Sequence, residues 1–259
     1  MKNERKTESF SRKIVKILGV KVDSTSRERL LAQIGKGIEG RRQFYIVTPN
    51  PEIVLQAQGD PDLLKAINMA DYSIPDGNGL RIAEPRLEII KGRELMVDLL
   101  GLASERKLKV FFLGAQPKVN EAAVEKARGQ FPGLKVKGNS GPMLDDETNP
   151  VSEVDINLQF EIINEINLYM PDILFVAFGA PRQEKWIYKQ IKSKKLKVRC
   201  MMGVGGALDY YAGFVKKVPK IIEFIGLEWL WRLIQQPKRL PRIFNAVVVF
   251  PLRAILSGR

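Results

Sequence analysis

The sequence predicts an α/β fold, with a mostly parallel Rossmann-like sheet flanked by helices and a basic amphipathic helical appendage at the C-terminal end. Three observations predict it. Short apolar runs of strand length alternate with helical stretches, these runs end at polar or glycine-rich turns, and the composition changes near Gly213. Alternation of this kind is typical of parallel sheets covered by helices on both faces. At 259 residues the chain can bury a large core.

The strands are predicted where β-branched and aromatic residues cluster: Ile17–Val22, Phe44–Val47, Tyr72–Ile74, Lys109–Leu113, Leu134–Lys137, Asp172–Phe178 and Val198–Val204. The stretches between them predict helices that begin at capping residues or prolines. These helices run from Ser24 or Thr25 to about Gly40, from Glu52 to Ala70 with a break near Gly59-Asp60-Pro61, from Glu94 to Lys107, from Pro117 to Gln130, from Glu153 to Tyr169, and through Gln183 and Trp186. Cys200 falls in the last strand and is expected to be buried in the core.

The chain divides, on composition, into a catalytic core at residues 1–212 and an appendage at residues 213–259. The appendage has nine Lys or Arg residues against only Glu223 and Glu228, and apolar residues such as Trp229 and Trp231 lie among them. Basic helices with an apolar, aromatic face often lie in the membrane interface. Packing of these aromatics on the core is the alternative. No apolar run approaches the roughly 18 residues of a spanning helix, so a peripheral membrane position is expected.

Composition excludes several classes of function. The chain has no histidine, which excludes Ser-His-Asp triads and histidine-bound zinc. Its single cysteine cannot form an internal disulfide, and the N-terminal residues contain no signal-peptide apolar segment, so a reducing cytoplasm is expected. The net charge of +13 favours phosphate-bearing partners. No common motif for reading nucleic acid is found, and neither is a Gly-x-x-x-x-Gly-Lys-Ser/Thr phosphate loop.

The ends of the predicted strands indicate where a site would lie. Five of them are followed by polar or glycine-rich turns that carry Thr48 and Asn50, Asp76 and Asn78, Gly114, Gly179 and Gln183, and Gly205. Parallel sheets bind ligands beyond the carboxyl ends of their strands, so these residues are expected along one rim. Asp76, held between a proline and a glycine, is the candidate catalytic base. An ordinary turn aspartate is the alternative, as is a helix cap for Thr48 and Asn50.

No metal site is expected, because no Asp-x-Asp pair follows a predicted strand. The glycines of Gly203-Val204-Gly205-Gly206-Ala207-Leu208 do not match a dinucleotide fingerprint, since Leu208 stands where a small residue is needed. Asp145-Asp146 lies in a polar loop and is expected to be solvated. Any acid–base chemistry therefore falls to carboxylates, Lys, Tyr, Cys or the substrate.

Several stretches together resemble the WecG/TagA/CpsF family of bacterial glycosyltransferases, glycosyltransferase family 26. In the family's order they are Val47-Thr48-Pro49-Asn50, Pro75-Asp76-Gly77-Asn78-Gly79, Phe112-Leu113-Gly114-Ala115, Phe178-Gly179-Ala180-Pro181-Arg182-Gln183-Glu184-Lys185-Trp186, Gly203-Val204-Gly205-Gly206-Ala207-Leu208-Asp209 and Gly226-Leu227-Glu228-Trp229-Leu230-Trp231-Arg232-Leu233. The resemblance runs from about residue 17 to residue 245, nearly the whole chain.

The resemblance implies an inverting, metal-independent transferase that needs no cofactor. It would move N-acetylmannosamine or a related sugar from a UDP donor to N-acetylglucosamine linked to a polyprenyl diphosphate, at the inner face of the cell membrane, in the synthesis of a cell-surface polymer such as teichoic acid. Asp76 would be the base, and Thr48, Asn50 and Gln183 would contact sugar. Arg232, Arg239 and Arg242 match tail arginines that neutralise diphosphate charge.

The chain departs from the family pattern at one residue that contacts phosphate in the family. Family members usually have an arginine shortly before the Gly-x-Asp-Leu stretch, which here is Gly92-Arg93-Glu94-Leu95, and the aligned position is Ile89. Arg86, Lys91 or Arg93 could replace it, and Arg93 is taken as a substrate contact.

Two alternatives to N-acetylmannosamine transfer are kept open. The donor could carry another sugar, such as glucose or an aminuronic acid, because the resemblance does not choose the sugar. The chain could instead be a non-catalytic basic adaptor for anionic lipid or nucleic acid. A homo-oligomer is also left open.

Overall fold

The computed structural model describes residues 13–40, 42–216, 218–219, 222, 228–235, 237 and 240–257, without the side chains of Glu228, Trp229 and Arg232. Its centre is a parallel sheet of six strands: β3 (Phe44–Val47), β4 (Tyr72–Ser73), β5 (Lys109–Gly114), β6 (Lys135–Asn139), β7 (Ile173–Ala177) and β8 (Cys200–Gly203). The strand order is β4-β3-β8-β7-β5-β6, and every pair is parallel. This confirms the predicted α/β class.

Helices cover both faces of this sheet. They are α1 (Arg27–Glu39), α2 (Pro51–Gly59), α3 (Pro61–Asn68), α4 (Gly92–Glu105), α5 (Pro117–Gln130), α6 (Glu153–Tyr169), α7 (Arg182–Ser193) and α8 (Ala207–Ala212). Successive residues of a strand face opposite sides of the sheet. Val110 and Phe112 therefore pack with α1, α4, α5 and α8, whereas Phe111 and Leu113 pack with α2, α3, α6 and α7. Cys200 is fully buried, as predicted.

The first predicted strand is wrong in one respect. Residues 13–24 form an antiparallel hairpin, β1 (Lys13–Ile17) and β2 (Val20–Ser24), and not one strand over Ile17–Val22. The two connecting residues, Leu18 and Gly19, have φ angles of 47° and 79°. Two consecutive residues with positive φ make the tight turn that joins neighbouring antiparallel strands.

The C-terminal segment places a long apolar helix against the core. After α8 the structure describes α9 (Glu228–Gln235) and α10, an 18-residue helix at Leu240–Ser257. Phe250 and Ala254 of α10 are buried. The helix packs on α2 and on the 3₁₀ turn Asn78–Ile82, which directly follows Asp76. The division at residue 212 stays a prediction.

Helix α10 also corrects an expectation about hydropathy. Its mean hydropathy is 1.4, so by length and composition it could cross a membrane, and 11% of it is buried. Counting uninterrupted apolar residues missed it, because Pro241, Arg242, Asn245 and Arg253 interrupt the run. Its exposed side chains are mostly apolar: Leu240, Phe244, Val247, Val248, Leu252, Ile255 and Leu256.

Gly114 ends β5 in a conformation that only glycine adopts easily, so we expect Gly114→Ala to destabilise the fold. Its φ is +102°, and an added Cβ would lie 2.7 Å from the carbonyl carbon of Ala177 in β7. Strain and overlap together should lower the free energy of unfolding by roughly 3–5 kcal/mol, measured by urea unfolding. Gly129→Ala in α5, where an added Cβ meets nothing within 4 Å, is the control and should stabilise by about 0.5 kcal/mol. Equal effects of the two substitutions would contradict this account.

Candidate active site

The predicted site residues lie along one edge of the sheet. In the strand order, Asp76 follows β4, Thr48 follows β3, Gly205 follows β8, and Gly179 follows β7. Neighbouring strands are about 4.8 Å apart, so this row spans about 14 Å from the Asp76 turn to the Gly179 turn. The expectation that the strand-end residues share one rim is therefore confirmed.

Backbone hydrogen bonds hold the Asp76 loop on both sides. The amide N–H of Asp76 donates to the carbonyl oxygen of Pro49 at 3.0 Å, and the N–H of Ile90 donates to the carbonyl oxygen of Pro75 at 3.0 Å. Gly77 has a φ of +105°, which lets the chain turn away directly after the aspartate. The loop therefore presents Asp76 from a backbone that is tied to two neighbouring segments.

The carboxylate of Asp76 and the hydroxyl of Thr48 both approach the start of α4. A Cβ added at Gly92, the first residue of α4, would lie 3.1 Å from Thr48 Oγ1 and 3.3 Å from Asp76 Oδ2. The N-terminus of a helix carries partial positive charge and stabilises anions. The two groups therefore share a small space at the positive end of a 14-residue helix.

Of the two roles considered from the sequence for Thr48 and Asn50, the structure shows the helix cap, at Asn50, and the ligand contact stays a prediction. Asn50 is the N-cap of α2, and its Oδ1 accepts from the N–H of Ile53 at 2.9 Å. The predicted cap is confirmed, with Pro51 as the first helical residue. The cap engages Oδ1 and not the amide nitrogen of Asn50. Asn78 is exposed at the start of the turn after Asp76.

Gln183 lies beneath the edge and joins two turns. Its side chain is buried, and its Oε1 accepts from the N–H of Gly179 at 3.2 Å. A Cβ added at Gly203 would lie 3.0 Å from Gln183 Nε2, and one added at Gly205 would lie 3.3 Å from Oε1. The amide therefore fills the space between the turns that follow β7 and β8.

The next residue, Glu184, is a buried carboxyl group that the sequence did not single out. It is 1% exposed, and its Oε1 accepts from Gln183 Nε2 at 2.8 Å. Burial raises the pKa of this carboxyl to about 6, although the hydrogen bond from Gln183 acts in the opposite direction. Its neighbour Lys185 pairs with Asp60 and Glu147 instead, at 2.8 and 3.0 Å.

At Gly114 the structure gives a packing reason for the glycine, which approaches the backbone of β7. Beside it lies Asn120, a buried residue of α5 that the sequence did not single out. Its Nδ2 donates to the carbonyl oxygens of Phe112, Gly114 and Asn139, at 3.2, 2.8 and 3.1 Å. The Asn120 amide thus ties the ends of β5 and β6 together.

Arg93 extends the site toward α8. Its guanidinium carbon lies 4.8 Å from the centre of the Tyr210 ring, at the distance of a cation–π contact. Arg93 and Lys91 flank Gly92, whereas Arg86 is exposed and Ile89 packs on the core. Three residues were considered as replacements for the family's arginine: Arg86, Lys91 and Arg93. Of these, Lys91 and Arg93 adjoin Gly92, which the Asp76 carboxylate approaches. Tyr210 was also not foreseen.

The tail arginines are described only in part. The Arg242 guanidinium lies 3.5 Å from the Glu52 carboxylate in the first turn of α2, two residues after Asn50. Both side chains border a groove of about 330 Å³ between α2 and α10, together with Arg253. Arg239 and the side chain of Arg232 lie outside the described residues. Within the described residues, no group of three Asp, Glu or Cys side chains could hold a metal ion.

The raised pKa of Glu184 predicts a pH-dependent effect of Glu184→Gln on stability. Because the folded-state pKa of about 6 exceeds the ordinary 4.5, the folded protein binds this proton more tightly. The buried charge therefore lowers the free energy of unfolding above pH 6, by on the order of 2 kcal/mol, and the penalty disappears below about pH 4.5. At pH 8 the variant should be more stable than wild type by on the order of 1–2 kcal/mol, and the difference should shrink toward pH 5.

Guanidinium unfolding at the two pH values measures this difference. Glu125→Gln, at an exposed position of α5, is the control and should change stability by no more than about 0.5 kcal/mol at either pH. A Glu184→Gln variant that is less stable than wild type at pH 8 would contradict the account.

Comparison with known proteins identifies relatives that match nearly the whole chain. The chain is 35% identical over 253 residues to an N-acetylglucosaminyldiphosphoundecaprenol N-acetyl-beta-D-mannosaminyltransferase of Staphylococcus aureus strain MRSA252, covering 95% of this chain and 93% of the relative. It is 34% identical, with the same coverage, to proteins of the same name from strains MW2 and NCTC 8325. The model of the glycosyl transferase WecG/TagA/CpsF family matches residues 15–259. The chain therefore belongs to the WecG/TagA/CpsF family of glycosyl transferases.

Proposed function

We propose that this enzyme transfers N-acetylmannosamine from a UDP donor to N-acetylglucosamine linked to undecaprenyl diphosphate, with inversion at the anomeric carbon and without a metal. The observation that carries the chemistry is that the Asp76 carboxylate and the Thr48 hydroxyl both lie beside Gly92 at the N-terminus of α4. The substrates are those in the names of the Staphylococcus aureus relatives, which match over nearly the whole chain. Such a product would serve the synthesis of a cell-surface polymer such as teichoic acid.

In this mechanism Asp76 is the general base. Its carboxylate takes the proton of the acceptor hydroxyl as that oxygen attacks the anomeric carbon of the donor sugar. The bond between the anomeric carbon and the diphosphate oxygen breaks, and UDP leaves with the bonding electrons. Attack from the face opposite UDP inverts the anomeric centre. The tied backbone of Pro75 and Asp76 supports this role, because a base must be held within hydrogen-bond reach of the hydroxyl.

Positive charge near this edge would bind the diphosphate. The N-terminus of α4 and the guanidinium of Arg93, held over Tyr210, are the described groups that suit it. Arg242 of α10 pairs with Glu52 of α2. The family resemblance adds Arg232 and Arg239 as further residues that would bind the diphosphate. These cations would stabilise the negative charge that develops on the leaving group. No metal is proposed, because no Asp-x-Asp pair follows a strand, where metal-dependent sugar transferases hold a diphosphate; Asp60-Pro61-Asp62 lies between α2 and α3 instead.

Membrane association is assigned to α10. A lipid-linked acceptor requires the site to lie close to the bilayer, and α10 exposes a largely apolar surface while it packs next to the Asp76 loop. Lying in the interface with this surface toward lipid would bring the acceptor diphosphate to the catalytic edge. We propose a peripheral position on the cytoplasmic face of the cell membrane.

The test is a transfer assay with purified full-length enzyme, a soluble diphosphate-linked N-acetylglucosamine acceptor, excess EDTA and a panel of UDP-sugars. UDP release and the mass of the product are measured. Acceptor-dependent turnover with UDP-N-acetylmannosamine is the expected result. Turnover with UDP-glucose or a UDP-aminuronic acid alone would overturn the assignment of N-acetylmannosamine as the donor sugar. Inhibition by EDTA would overturn metal independence. No turnover by the folded enzyme with any donor would favour the adaptor alternative.

In this assay Asp76→Asn should lower kcat by about 10²–10⁴-fold, because the amide has the size of the carboxylate and cannot take the proton. The substitution should leave the thermal unfolding midpoint of the protein nearly unchanged. Asp145→Asn, in the exposed loop that precedes α6, is the matched control and should retain wild-type turnover. Turnover of Asp76→Asn within threefold of wild type would show that the base is another group.

Membrane binding should depend on the exposed face of α10. The double variant Leu252→Glu and Leu256→Glu alters side chains that are 58% and 72% exposed, so folding should be unaffected. Loss of two leucines that would be buried in lipid on binding, together with repulsion from anionic lipid, should lower vesicle partitioning at least tenfold. Sedimentation with phosphatidylglycerol–phosphatidylcholine vesicles measures the change.

The matched control for this variant is Phe160→Glu and Leu168→Glu on α6, whose side chains are 69% and 83% exposed. It introduces the same charge at apolar surface positions outside α10. Equal partitioning of the α10 variant and wild type, or equal losses in the two double variants, would contradict the assignment.

A further inference from the structure

The amide of Gln183 has a single orientation in this structure, and two polar neighbours set it. Oε1 accepts from the N–H of Gly179, and Nε2 donates to Glu184 Oε1. An amide rotated by 180° would place its NH₂ group against the Gly179 N–H and its oxygen against a carboxylate oxygen. An ionised carboxylate only accepts hydrogen bonds, so the rotated arrangement would lose both contacts. Glu184 therefore selects the orientation in which Gln183 holds Gly179.

The two turns that Gln183 contacts face the side of the edge where a ligand would lie. An added Cβ at Gly179 would meet nothing within 4 Å, so the outer side of this turn is open. Gly205 lies in the turn after the neighbouring strand, β8, and a Cβ added there would lie 3.3 Å from Gln183 Oε1. Strand β8 pairs with β7 on one side and with β3 on the other, and Thr48 directly follows β3. The backbone of the two turns is thus available to a ligand that reaches Asp76 and Thr48 at its other end.

Glu184 is poorly suited to its place if it serves stability alone. The side chain is almost completely buried, its Oε2 has no hydrogen-bond partner among the described residues, and Lys185 is paired elsewhere. A buried carboxylate with one neutral partner costs stability, and an apolar side chain of similar size would remove that cost. An apolar side chain, however, would not supply the hydrogen-bond acceptor that orients the Gln183 amide.

We infer that Glu184 is a positioning residue for donor binding, which orients the Gln183 amide and so holds the turns at Gly179 and Gly205 in the shape that receives the nucleotide-sugar diphosphate. This inference rests on the proposed function for the identity of the donor. Glu184 itself touches no substrate, and it acts through Gln183.

A double-mutant cycle tests the coupling. Glu184→Met, Gln183→Met and the double variant are compared with wild type in the KM for UDP-N-acetylmannosamine, in kcat, and in the Kd for UDP by titration calorimetry. Each single substitution should raise KM and Kd about tenfold and leave kcat within threefold, because the donor site is loosened and the base is untouched. The double variant should resemble the singles, since Glu184 has nothing to orient once the amide is gone.

A second substitution and a control keep the test decisive. Glu184→Gln can accept from Gln183 or donate to it, so residue 184 no longer selects the orientation and only the Gly179 N–H does, and KM should rise about two- to threefold in the wild-type background only. Glu184→Gln takes the place of Glu184→Met in the test if Glu184→Met fails to fold. Gln190→Met lies on the same helix face two turns away, is also buried, and should leave KM unchanged.

Different outcomes separate this inference from the function on which it rests. Wild-type protein that binds no UDP would contradict the proposed donor. Wild-type protein that binds UDP, with a Kd unchanged in Glu184→Met and Glu184→Gln, would overturn the role of Glu184 alone. A double variant whose loss equals the product of the single losses would overturn it too, because Glu184 would then act independently of Gln183.

Discussion

The catalytic edge depends on the backbone hydrogen bonds that tie the end of β4 to the end of β3 and to the segment before α4. Ile74 and Asp76 donate to the carbonyl oxygens of Val47 and Pro49, and Ile90 donates to Pro75. These bonds set where the Asp76 loop stands relative to Thr48, and they also set where α4 begins. The carboxylate and the hydroxyl both lie beside the helix N-terminus because these hydrogen bonds align the three segments.

The other half of the edge is held by side chains. Asn120 ties the ends of β5 and β6, and Gln183 accepts from the turn after β7 and packs against the turn after β8. Amides suit this task, since an amide has both donors and an acceptor: Asn120 donates to backbone carbonyl oxygens, and Gln183 accepts from a backbone N–H. A buried carboxylate, Glu184, completes the second of these ties at a cost in stability. Rigid turns at the rim thus depend on polar groups in the interior.

The distribution of charge and apolar surface suits an enzyme with one soluble and one lipid-linked substrate. The net charge of +13 favours a phosphate-bearing donor and an anionic membrane surface. Helix α10 links the Asp76 loop to the apolar surface of the protein, because its buried side chains pack beside that loop while its exposed side chains are largely apolar. The ion pair between Arg242 and Glu52 is largely exposed and contributes little to this docking by itself.

By itself the sequence determined the fold class and the residues that follow the strands, and it excluded mechanisms that need histidine. Apolar runs with their terminating turns are local patterns, and a parallel sheet brings its carboxyl ends to one edge whatever the strand order. The cap at Asn50 was visible for the same reason. The N-terminal hairpin was missed because the turn at Leu18 and Gly19 is short and lies within one apolar run.

Only the tertiary structure decided which of these residues meet. The strand order set Gln183 and Gly205 side by side, and α8 brought Tyr210 over Arg93. Burial gave Glu184 its raised pKa, and a charged residue in a sequence does not reveal whether its neighbours exclude water. The docking of α10 beside Asp76 likewise joins residues far apart in the chain. Such contacts follow from packing between elements, which local propensity and hydrophobic periodicity do not encode.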